Sequence, residues 1–264
     1  MDDILDVIEG GPKLRRWYGA QQRSAGGASA PQADAAPPAV ALPPHAFSVV
    51  CCGGARGDAT SDALLAALVL ADKAPLRCGG RDSAAASRAF GAFVSAVDGP
   101  GSLALPGSDA LLLNLPGASC LDEAAVLLAA AASAGVGHCV VLCPDACRPA
   151  AAPKLCAAAA STPLTVIFSG EVRAAPGAGG APLQLTACDG GDSGGRQSGA
   201  LLLLRPVSLE DAAALAVAAL DAPPGRGAAR LVRAGGAGGG GADEPAKDAW
   251  PSFLRALQQS DAVA

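Results

Sequence analysis

The segment Phe47-Ser-Val-Val-Cys-Cys-Gly-Gly-Ala-Arg-Gly-Asp-Ala-Thr-Ser-Asp-Ala-Leu-Leu-Ala-Ala-Leu68 constrains the chain most. An apolar run ends in glycines and passes directly into Ala and Leu, which favour a helix. Glycines let backbone N–H groups approach a pyrophosphate, and the dipole of the following helix adds partial positive charge there. Read from Gly54, the turn is Gly54-Ala-Arg56-Gly57-Asp-Ala-Thr60, so Thr60 takes the place of a third glycine. A frame starting at Gly53 keeps one glycine and has Arg56 and Ala59 at the other positions. Gly54, Arg56, Gly57 and Thr60 are the candidate phosphate-facing residues. The same residues also fit an ordinary strand–turn–helix corner, since the chain has 34 glycines.

Of the 264 residues 51% are hydrophobic and only 3% aromatic. The core is therefore built from Ala, Val and Leu, which suits helices packed closely on a parallel sheet. The formal net charge of −5 argues against a nucleic-acid surface, where clustered Lys and Arg are expected. Nine cysteines without regular pairing point to a reducing compartment rather than a disulfide scaffold. The most apolar stretch, 124–142, is broken by Gly135, Gly137 and His138, and reads as a helix and a buried strand instead of a membrane span. The acidic start Met1-Asp-Asp-Ile-Leu-Asp6 does not read as a signal or transit peptide.

Residues 1–20 form an N-terminal segment. Ile4, Leu5 and Ile8 make an apolar stripe stopped by Gly10-Gly11-Pro12, and a basic and aromatic cluster, Lys13-Leu-Arg-Arg-Trp-Tyr18, follows. Trp, Tyr and Arg are the residues that anchor interfaces, so this segment is the candidate contact for a protein partner. It equally suits a cover for an apolar face of the chain's own domain. Residues 21–45, rich in Ala, Gly, Pro, Ser and Gln, read as a flexible linker. From 46 to 264 apolar strands alternate with helices, which predicts an α/β fold with a doubly wound parallel sheet. Strands are expected at 47–52, 74–78, 93–97, 109–115, 138–143, 164–168, 201–204 and 229–232. Helices are expected at 62–71, 83–90, 121–134, 154–160 and 208–220. The link 98–108 has room for little more than a turn of helix. The glycine-rich stretches 171–199 and 235–241 read as mobile loops, the first without convergent catalytic groups.

The order of these pieces resembles the atypical short-chain dehydrogenase/reductases, the NmrA-like and plant and algal NAD(P)-binding Rossmann proteins. The resemblance runs from about Phe47 to Gln258. It is carried by Gly54-Ala-Arg-Gly57, Gly80-Arg81-Asp82, Val97-Asp98, Ser108-Asp-Ala-Leu-Leu-Leu-Asn114, the passage from Ala134 to Leu142, Val207-Ser-Leu-Glu-Asp211 and Trp250-Pro-Ser-Phe-Leu254. It implies a bound NAD(P), with Asp98 facing the adenine and Asn114 at the end of the fourth strand near the cofactor. Arg81, where an acidic residue would hold a ribose 2′-hydroxyl, can pair with a 2′-phosphate and favours NADP. Alternatively Arg81 is a surface arginine paired with Asp82. The resemblance to plant and algal proteins implies a plastid stroma; without it the expectation is cytoplasmic.

Reductases of that superfamily use a Tyr-x-x-x-Lys pair, and this chain lacks it. Tyr18 is the only tyrosine, Ala150 stands four residues before Lys154, and Cys143-Pro144 replaces the serine after the fifth strand. Without a positioned acid, proton transfer loses on the order of a hundredfold in rate. No catalytic residue is therefore assigned. The expectation is a cofactor-binding, sensing or assembly module. The alternative is an NADPH-dependent oxidoreductase or isomerase in which Cys143, Asn114 or Asp145 supplies the missing acid.

Other strings point elsewhere. Gly191-Asp-Ser193-Gly-Gly matches a serine-protease pentapeptide, and His138 loosely echoes the histidine motif. A triad is defined by geometry, and His138 opens a buried strand in an α/β region. Cys139 and Cys143 sit at the two ends of one strand, about 13 Å apart, so they cannot share one metal.

Overall fold

A computed structural model of the protein describes residues 46–52, 59–80, 83–97, 100–173, 183–188, 204, 206–236, 250, 252, 254 and 256. The first half of the fold runs β1 (Ala46–Cys51), α1 (Ala59–Leu70), β2 (Leu76–Gly79), α2 (Ser83–Phe90), β3 (Val94–Val97), β4 (Ser108–Asn114) and α3 (Leu121–Ser133). The second runs β5 (His138–Pro144), α4 (Arg148–Ala159), β6 (Leu164–Ser169), β7 (Val172–Arg173), β8 (Leu183–Ala187), β9 (Val207–Ser208), α5 (Leu209–Leu220) and β10 (Ala229–Gly236).

Eight strands form one sheet in the order β3-β2-β1-β4-β5-β6-β10-β8. All neighbours are parallel except β10 and β8, which pair antiparallel at one edge. The chain winds outward from β1 to β3, then returns to the other side of β1 with β4. That reversal opens a crevice between β1 and β4 at the carboxyl ends of the strands. The fold is a doubly wound Rossmann sheet.

The two-residue period of the strands divides their side chains between two cores. Val49, Leu112, Val140, Ile167 and Val232 face α1 and α5, together with Trp250 and Leu254 of the closing helical segment. Val50, Leu111, Leu113, Val141 and Phe168 face α3 and α4. Ala and Leu on the helices allow close approach: α1 packs on α5 and α3 on α4. Ser208 caps α5, its Oγ accepting from the Asp211 N–H at 3.0 Å. No helix among the described residues is long and apolar enough to cross a membrane.

The sequence expectations need four corrections. The helix after β5 starts at Arg148, not Lys154, because Pro149 lies in its first turn, where its missing N–H costs little. Within 171–199, Val172–Arg173 and Leu183–Ala187 are strands, not loop. The last strand runs to Gly236 instead of Val232, because β8 pairs with it out to that residue. The second strand begins at Leu76, after Pro75, which cannot donate to a ladder. The link before β4 is a 3-10 turn, Gly101–Ala104, as its length required. Of the strand expected at 201–204 only Leu204 is described, and it is not in a strand.

Candidate functional site

Because β4, β5, β6 and β10 are parallel, their carboxyl ends meet on one edge. Asn114 closes β4, Cys143 and Pro144 close β5, Ser169 closes β6, and Arg233 lies near the end of β10. These residues, the start of α4 and Thr60 near the start of α1 line a cavity of about 870 Å³. Leu115, Leu142, Val172 and Leu204 give it apolar walls.

The charges in the cavity are concentrated at the turn from β5 into α4. Arg233 donates from Nε to Asp145 Oδ1 at 2.9 Å and from Nη2 to Oδ2 at 2.7 Å, a two-pronged, charge-assisted pair. Those bonds hold the Arg233 pKa above its ordinary value. Arg148, the first residue of α4, brings Nε to 3.4 Å from Asp145 Oδ1. Its Nε is buried and makes no hydrogen bond among the described residues.

At the crevice, Asn114 Nδ2 donates to Ser61 Oγ at 3.0 Å, and the Cys51 thiol donates to the same oxygen at 2.7 Å. The ends of β1 and β4 are thereby tied to the first turn of α1. Cys143 is buried, and burial, with Cys147 and Asp145 adding to it, pushes its thiol up to about 12. A thiol of that kind stays protonated and unreactive near neutrality. Lys154 is exposed on α4 and pairs with Asp122 of α3, while Ala150 is exposed one turn earlier.

Of the residues expected to hold a cofactor, the structure brings Thr60 and Asn114 together on the cavity wall. Gly54, Arg56, Gly57, Arg81 and Asp98 lie outside the described residues, as does Ser193. His138 is buried at the opposite edge of the sheet, its Nε2 3.1 Å from Thr165 Oγ1. Burial, chiefly, and the nearby Arg230 lower its pKa to about 4, with the Leu220 carbonyl opposing in part. It is a neutral structural histidine. No cluster of potential metal ligands occurs among the described residues. Arg148 and Arg233 were not legible as site residues. Arg233 was hidden by the early end assigned to its strand, and Arg148 by the prolines around it.

No protein-family model matches the sequence, and no curated protein matches it significantly. Solved structures do. A wide-type short-chain dehydrogenase/reductase from Veillonella parvula, solved in complex with NADP, superposes with a TM-score of 0.53 at 12% identity, covering 76% of this chain and 99% of that one. A Rossmann-fold NAD(P)-binding family protein from Shigella flexneri gives 0.56 at 17% identity, with 76% and 99% covered. The chain has the Rossmann fold. At these identities the likeness speaks for the fold alone.

Proposed function

We propose that the protein binds NADP(H) along the carboxyl edge of its sheet and acts as a binding, sensing or assembly module, not as a standard reductase. The observation that carries this reading is that the three groups of the cavity that could replace the missing acid are already engaged or inert. Asp145 commits both oxygens to Arg233, the Cys143 thiol holds its proton, and Asn114 is tied to Ser61. Each candidate for the missing acid is thus engaged or inert, which disfavours the oxidoreductase or isomerase alternative.

The described residues fit the cofactor. α1 begins beside Asn114 at the crevice, which supports a pyrophosphate held by its N-terminal N–H groups. Gly80, at φ +74°, follows β2, and a Cβ there would lie 2.7 Å from the Cys51 carbonyl oxygen. That close approach, which requires glycine, sets Gly80 against the end of β1. When bound, the cofactor supplies a hydride-carrying nicotinamide; Thr60 and Asn114 would border it, and Arg81 would pair with the 2′-phosphate. Residues 1–20 are the proposed contact for a protein partner. The plastid stroma is the proposed compartment, on the sequence resemblance alone.

Titrating the full chain with NADPH and NADH tests this reading. NADPH should bind more tightly, and Arg81→Ala should erase the difference, a loss of about 1.5–3 kcal/mol for a charge-assisted bond. Equal affinity for the two cofactors sinks the 2′-phosphate assignment. Steady nicotinamide turnover that Asp145→Asn abolishes would establish the enzyme alternative.

A further inference from the structure

Among its described lining residues the cavity holds a positive charge that is only weakly matched and that the proposed function leaves unused. Arg148, Arg233, Asp145 and Glu171 are its charged lining residues among those described. Glu171 pairs with the exposed Arg173, whose Nη2 donates to Oε2 at 2.5 Å. Asp145 is matched by Arg233, which uses both carboxylate oxygens. Arg148 is left with one ion-pair contact, 3.4 Å to an oxygen already bonded to Arg233, and with no hydrogen bond among the described residues. A guanidinium in this state, on the wall of a largely apolar cavity, attracts an anion.

We infer that the cavity binds a small organic acid through its carboxylate, with Arg148 as the recognising group. The inference rests on the cavity being a ligand site of this Rossmann protein. Among the described residues one surplus positive charge matches a monoanion, and the planar fork of arginine matches the two oxygens of a carboxylate. Leu115, Leu142, Val172 and Leu204 suit an apolar body, not a bare inorganic anion. Arg233 holds Asp145 in place, which keeps that carboxylate off Arg148's remaining N–H groups.

The test compares acids with their uncharged amides on the full-length protein: benzoate with benzamide, 3-phenylpropionate with 3-phenylpropionamide, and pentanoate with pentanamide. Calorimetric titrations are run with and without NADPH. At least one acid should bind about tenfold or more tightly than its amide, the ratio expected of a charge-assisted bond. Arg148→Gln should abolish that preference, Arg148→Lys should retain part of it, and NADPH affinity should stay unchanged in both. If Arg148→Gln does not fold, the preference of the unmutated protein and its partial retention in Arg148→Lys decide. Absence of acid binding, equal binding of acids and amides, or an undiminished preference in Arg148→Gln overturns the inference. NADPH binding without acid preference removes this inference alone, and acid preference without NADPH binding removes the cofactor reading alone.

Discussion

At the amino edge of the sheet Arg77 and Arg230 are buried and donate to backbone carbonyls: Arg77 Nη1 to that of Pro106, and Arg230 Nη1 to that of Ala222 at 2.7 Å. At the carboxyl edge Arg233 is half-buried and faces a carboxylate with two hydrogen bonds, Asp145 being shared with Arg148. The carbonyls accepting at the amino edge belong to the links before β4 and β10, so those arginines pin chain connections in place. Among the described residues no charge answers Arg77 there, and burial lowers its pKa. At the carboxyl edge charge answers charge, around a cavity of about 870 Å³. Arginine thus does two jobs in one sheet. Where it meets carbonyls it closes the structure, and where it meets Asp145 it organises a site.

Removing Asp145 should give the largest effect. Asp145→Ala leaves two guanidinium groups facing each other without a counter-charge, and breaking a partly buried pair from one side costs about 2–3 kcal/mol, below the full cost of a buried pair. Chemical denaturation would measure the loss. Replacing Arg233 with Met in the Asp145→Ala background should restore most of it, because the stranded charge is then gone. A change below about 0.5 kcal/mol, the scale of an exposed pair, would place the cluster with ordinary surface ion pairs and break the contrast between the edges.

The winding of the sheet was legible because Val, Leu and Ala are distributed by local rules: continuous apolar runs of strand length separated by helix formers. β1, β4, β5 and β6 were each read to within about two residues for that reason. β8 was not, because Leu183-Gln-Leu-Thr-Ala187 is a short alternating run among glycines, and its partner is 45 residues or more away in β10. The site was less legible than the fold. Asn114 and Thr60 stood out by their position in strand and turn. Arg233 and Asp145 meet across 88 residues of sequence, and only the parallel register of β10 on β6 and of β6 on β5 brings them together. No local pattern announces such a pair.

His138 gives the next effect in size and probes the amino edge. Its pKa falls from the ordinary 6.5 to about 4 in the folded protein. Between those values the unfolded chain binds the proton and the folded one does not, so stability falls as pH drops through 6.5 toward 4. Above 6.5 the group is neutral in both states and contributes no slope. Acidification from pH 7 to pH 5 should therefore cost about 2 kcal/mol through this residue. His138→Gln should flatten that part of the stability profile, as followed by denaturant midpoints. An unchanged slope in the variant would mean that other groups carry the acid sensitivity.

The smallest effect is expected at Arg77. Its Nε and Nη2 are buried without a hydrogen-bond partner among the described residues. Of the carbonyls it reaches, that of Ala104 also accepts from Ser48 Oγ at 2.5 Å and Ser108 Oγ at 3.2 Å. Pro106 is exposed and its bond to Arg77 is only partly buried. Arg77→Met therefore leaves at most one partly buried acceptor. It removes a poorly compensated buried charge and keeps an apolar stem of similar length. Such replacements of buried ionic groups are often neutral or stabilising, and the expected change is within about 1 kcal/mol in either direction. If Arg77→Met instead costs as much as Asp145→Ala, the carbonyl-bound arginines stabilise the fold as strongly as the paired ones, and the division between the two edges fails.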